Sequence, residues 1–130
     1  MRKLLSILLV VILFNLFLAA CSSKTTDAPA KAVEDYLNAL VNKDADRLPS
    51  LVCADWENDA LLELDSFQAV TAKLDNVACQ QTGKDGDNTL VKCTGNIVTT
   101  YNNENQNIDL SVRTYQVVQE GGDWLVCGTR

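Results

Sequence analysis

The order of apolar and polar positions divides the chain into three stretches. Residues 4–20 are an almost unbroken apolar run, interrupted only by Ser6 and Asn15, and residues 22–28 are short, polar and unpatterned. A helical period follows. Val33, Tyr36, Leu37, Leu40 and Val41 fall at i, i+3, i+4, i+7 and i+8, which predicts an amphipathic helix over residues 30–42, with Pro29 suited to its first turn. Asp44 is placed to cap a shorter helix over 45–52, limited by Pro49, and a third is expected over 56–64, where Glu57 and Asp59 favour the positive end of the helix dipole. After Leu64 the period becomes two. Strands are predicted over 74–81, 90–101, 108–119 and 123–128, separated by turn-forming residues at 84–88, 102–107 and 120–123. The expected architecture is α+β, with N-terminal helices packed on an antiparallel meander of about four strands.

The leading apolar run follows a positive Arg2-Lys3 pair, the layout of a secretory signal. It ends in Leu18-Ala19-Ala20-Cys21, which resembles the lipobox of bacterial lipoproteins. The resemblance implies cleavage before Cys21 and diacylglycerol on its sulfur. One acyl chain anchors only marginally, so stable attachment needs two or more, as lipoproteins carry. An ordinary cleaved signal and an uncleaved anchor are the alternatives. Ser22 and Ser23 follow Cys21, and the Asp that such lipoproteins carry directly after the Cys for inner-membrane retention is absent, so the resemblance favours the outer membrane where the host has one. The resulting division is a signal at 1–20, a lipidated Cys21 with its tether at 21–29, and one domain at 30–130. The expected location is extracytoplasmic, with the membrane as a partner through the lipid.

Removing residues 1–20 leaves 110, enough for one domain with a modest core. Arg2 and Lys3 leave with the signal, so nine Lys/Arg face 17 Asp/Glu and the net charge is −8. No basic cluster is present, which argues against a nucleic-acid partner. The acidity fits a soluble surface or, as an alternative, a basic protein partner.

With Cys21 assigned to lipid, Cys53, Cys79, Cys93 and Cys127 remain. An even number in a small exported domain reads as two disulfides, for which three connectivities exist. The chain has no histidine and no C-x-x-C pair, so neither a zinc site nor another cofactor is expected. If Gly86 centres its turn, Cys79 and Cys93 face each other across the hairpin, leaving Cys53 for Cys127.

Residues 32–41, the segment Lys43-Asp44-Ala45-Asp46-Arg47-Leu48 and the terminal Gly122-Asp123-Trp124-Leu125-Val126-Cys127 together resemble the nuclear transport factor two-like, or cystatin-like, superfamily. The resemblance spans most of residues 30–128 and is similar to that of uncharacterised lipoproteins of the superfamily. It implies a curved sheet rolled around a helix into a cone whose open end is often a pocket. Tyr101, Tyr115 and Trp124 are the residues expected to line such a pocket. Enzymatic members resembling ketosteroid isomerase or scytalone dehydratase use Asp with Tyr, His or a protonated Asp; lack of histidine removes the dehydratase-type pair.

The remaining motifs carry little chemistry. Asp85-Gly86-Asp87-Asn88 opens like a calcium loop, but Leu90 and Asn96 stand where the loop needs Gly and Glu, so a solvated turn is expected. Asp55, Glu57 and Asp59 beside Trp56 read as helix-start residues around a core anchor. No Ser nucleophile elbow, phosphate loop or His-containing triad is present. The sequence favours a non-enzymatic binding or interaction module. An isomerase or dehydratase-like enzyme using the cone pocket, and an acidic inhibitor or immunity-type protein, are the alternatives.

Overall fold

The computed structural model describes residues 27–130; the apolar run, Cys21 and most of the tether lie outside the described residues. Helix α1 is Ala28–Asn42, begins two residues before the predicted start, and carries Pro29 in its first turn. Its predicted stripe is its buried face: Val33, Tyr36, Leu37 and Leu40 are fully enclosed. The helix ends where Lys43 turns left-handed (φ 57°), letting the Asp44 amide donate to the Ala39 carbonyl at 2.9 Å.

The predicted second helix is reduced to a 3-10 turn at Leu48–Leu51, as Pro49 supplies no amide for a longer run. Asp44 instead accepts the Arg47 amide at 3.1 Å. A further 3-10 turn at Ala54–Trp56 leads into α2, Glu57–Ser66, which starts and ends slightly later than expected.

The two helices pack on one antiparallel sheet of five strands, not about four. These are β1 Thr71–Asp85, β2 Asn88–Tyr101, β3 Glu104–Asp109, β4 Thr114–Glu120 and β5 Asp123–Thr129. Two corrections to the sequence reading account for the count. The amide-rich segment 102–107 is not a loop: Asn102 and Asn103 both adopt positive φ (49° and 65°) in a two-residue turn, and Tyr101 pairs directly with Glu104. The strand predicted over 108–119 is broken by a 3-10 turn at Leu110–Val112, which buries Leu110 completely. As a result β3 and β4 lie end to end along one side of β2, against Asn96–Tyr101 and Thr89–Lys92 respectively.

The inward face of β2 carries Val91, Cys93 and Ile97, packed against α1 in a single core. Two irregularities in β1 hold its own apolar residues on that face. The hairpin turn has Asp85 opposite Asn88, a centre that by itself would set Cys79 against Thr94. A shift at Thr82 moves the register by one, so Cys79 lies opposite Cys93, and the two form a disulfide. A second shift at Asn76 and Val77 changes parity, keeping Leu74 opposite the buried Ile97. Gly95 is required there: its φ is +90°, and an added Cβ would stand 2.5 Å from the Asn76 carbonyl oxygen.

Both outer strands are covered along part of their free edges. Cys53 bonds covalently to Cys127, its amide donates to the Val126 carbonyl at 2.9 Å, and Val52 bridges Val126 in parallel. On β1, the amides of Cys79 and Gln81 donate to carboxylates from the start of the domain, Glu34 Oε1 at 3.2 Å and Asp27 Oδ2 at 2.5 Å. These contacts occupy a β5 carbonyl and two β1 amides that an extended peptide would otherwise use.

Candidate functional site

Ionisable and aromatic groups converge between the helices and the sheet. Tyr36, on the buried face of α1, donates its hydroxyl to Glu63 Oε2 at 2.6 Å. Arg113, just before β4, donates from Nη1 to Glu63 Oε1 at 2.5 Å. Tyr115 lies beside them on β4, fully enclosed, its ring edge-on to Tyr36 at 6.4 Å between centroids. Trp56, from the turn before α2, packs half-buried against the same core. Both Glu63 oxygens are therefore engaged.

The electrostatics follow from burial. Tyr36 is pushed well above the usual phenol range, first by loss of solvation and then by the adjacent Glu63 carboxylate. Burial also raises Tyr115, to about 12, with Glu63 adding to the effect and Arg113 opposing it. Burial works against the Arg113 charge, but the hydrogen bond and charge of Glu63 more than offset it, so this guanidinium is held above its ordinary value. Both phenols stay protonated at neutral pH and can act only as donors or hydrogen-bonded hydroxyls. Among the described residues, the Trp56 Nε1 and Tyr115 hydroxyl are buried without a hydrogen-bond partner.

Among the described residues, several clefts lie elsewhere. One of about 270 Å³ runs beside the Cys79–Cys93 bridge near Lys92, Thr94 and Ser111. A second, of about 330 Å³, is bounded by α1 and by Trp124. A third, of about 230 Å³, lies at the far end of the sheet among Val70, Thr99, Tyr101 and Glu104. None of the three is lined by Tyr36, Glu63 or Tyr115.

The three aromatics expected at one pocket mouth are thus dispersed. Tyr101 is 60% exposed on the third cleft, Trp124 borders the second, and Tyr115 is enclosed with no exposure. Parity explains Tyr115: it shares the inward face of β4 with Val117. Of the acidic groups noted in the sequence, Glu57 and Asp59 occupy the first turn of α2, and Asp85 pairs with Arg130 at 2.7 Å. Among the described residues, no group of three or more metal-ligating side chains is assembled.

Glu63 and Arg113 were not singled out from the sequence. A signal existed for the first: Ala60, Glu63, Leu64 and Phe67 fall at i, i+3, i+4 and i+7, placing a carboxylate on an otherwise apolar stripe. Nothing comparable marked Arg113.

No family model matches this chain, and no curated protein matches it. Among solved structures, the chain is similar to the solution structure of a SEC-C motif containing protein from Rhodopseudomonas palustris, at 11% identity and a TM-score of 0.52, with 83% of each chain covered. At that identity the likeness is one of fold.

Proposed function

We propose that this protein is an exported, lipid-anchored binding module of the nuclear transport factor two-like type, which acts by contact rather than by chemistry. Its anchor is the lipid on Cys21, its tether the residues between Cys21 and Asp27, and its station the extracytoplasmic face of a membrane, the outer one where the host has two. The observation carrying the non-enzymatic reading is the engagement of Glu63. The carboxylate nearest to the buried tyrosines has one oxygen held by Tyr36 and the other by Arg113, so it is not a free base. The space that a substrate would need is taken by Tyr36, Leu37, Tyr115 and Leu110, all without solvent exposure.

Two experiments test the proposal. Metabolic labelling with a fatty-acid analogue should mark the wild type and not Cys21→Ser, with the mature mass starting at Cys21; an unlabelled mature protein starting elsewhere removes the anchor. A fragment screen read by protein NMR should give shifts on surface residues only. Fragments that perturb Tyr36 and Tyr115 from within would point instead to an isomerase or dehydratase-like activity.

A further inference from the structure

The second cleft is the roomiest of the three and plays no part in the interior cluster. We infer that it is a saccharide subsite, taking a neutral pyranose unit of a glycan. The inference deepens the binding-module reading and rests on it.

One side of the cleft is apolar and fixed. Ala28 and Ala32, one turn apart on α1, leave depth beside Trp124. Trp124 is half-buried, packs against the core, and sits at the start of β5 after the Gly121-Gly122 turn, whose φ values are 59° and 90°. A rigid indole next to small side chains suits the C–H face of a sugar ring, and ordering it on binding costs little because it is already held.

The other side is polar in a particular way. Lys31 reaches both carboxylate oxygens of Asp35 at 2.9 Å, and Arg47 approaches the same carboxylate at 3.7 Å. The Lys31 side chain is 56% exposed and that of Asp35 29%, so the pair is open to a ligand. It presents donors and acceptors side by side. Neighbouring sugar hydroxyls each donate and accept, and so match such a pair, whereas an anionic or cationic ligand meets one charge of its own sign. Asp123 adds a further acceptor to the lining. The volume of about 330 Å³ lies at the small end of ligand pockets, ~300–1,000 Å³, which fits one or two rings.

The chain has two tryptophans, so the indole region of an NMR spectrum should hold two N–H signals, with Trp56 as an internal control. The full-length chain, processed in the cell and purified in detergent, would be titrated with cellotetraose and with chitotetraose. The expected result is a saturable shift of the Trp124 indole with at least one of them while Trp56 stays fixed. Trp124→Ala should weaken binding more than tenfold. Lys31→Met, at an exposed site, should weaken it several-fold with amide dispersion unchanged, which keeps the test decisive if the tryptophan variant folds poorly. No shift with either sugar, or a shift only when anionic-lipid nanodiscs are added, would overturn the inference; the second result would make the cleft a membrane contact. Failure of the wider reading looks different, since it is read at Tyr36 and Tyr115.

Discussion

Opening the Cys53–Cys127 bridge should destabilise the domain more than opening Cys79–Cys93, although the second lies between paired strands. A cross-link acts chiefly on the unfolded chain, by removing loop-closure entropy that grows with the logarithm of loop length. The bridges span 74 and 14 residues. Those loops correspond to ~4.5 and ~3 kcal/mol. The short loop is nested in the long one and shortens it, a correction of only ~0.2 kcal/mol. The local losses are of one kind, because Cys53 and Cys93 are both buried and each Cys→Ala change removes a single sulfur per site. The Cys53→Ala/Cys127→Ala and Cys79→Ala/Cys93→Ala variants should therefore differ by ~1.5 kcal/mol, a gap of roughly 0.5–1.5 M in urea midpoint. Equilibrium urea unfolding followed by far-UV circular dichroism measures both. A hairpin variant with the lower midpoint would refute the reasoning and mean that native-state contacts at Cys79–Cys93 outweigh chain entropy.

Alkaline stability and one glycine give two further tests. The Tyr115 pKa is raised to about 12 by burial, and that of Tyr36 is raised for the same reason and by Glu63, so both phenols ionise in the unfolded chain before they do in the folded one. Their contribution is fully present below the unfolded value near 10 and is lost as pH rises through the folded values. Unfolding free energy should fall with pH above ~10, approaching ~1.4 kcal/mol per unit for each phenol, and Tyr115→Phe should flatten the fall; a profile unchanged by that substitution would deny the buried phenol its role. Gly95→Ala should cost at least ~3 kcal/mol, since its Cβ would collide with backbone at positive φ, whereas Gly83→Ala, with no atom within 4 Å, should stay within ~1 kcal/mol in the same urea assay.

The chain's local pattern was enough for the elements whose side chains repeat with a period. The stripe from Val33 to Val41 specified α1, and alternation over 90–101 specified β2, because burial of one face selects one backbone geometry. The turn residues around Gly86 placed the hairpin and brought the two cysteines to within one position of each other across it. The means of their pairing was not legible: the shift at Thr82 leaves no mark in composition, yet it decides which residues face each other. Nor was β3 legible. Its residues Glu104, Asn105, Gln106 and Asn107 offer no apolar alternation, and it forms because backbone amides and carbonyls opposite β2 pair whatever the side chains are.

Within the candidate sites, the sequence supplied the aromatics and the charges, and the tertiary structure decided their company. Tyr101, Tyr115 and Trp124 lie on different strands and meet different surroundings, since strand parity and the end of the sheet at which a residue falls depend on pairings far along the chain. Glu63 and Arg113 are 50 positions apart and come together only because α2 and the segment before β4 pack beside the same core. Periodicity is a local property, written in neighbouring residues. Contacts between distant side chains arise when buried faces are brought together, and that step is fixed by the packing of the whole domain.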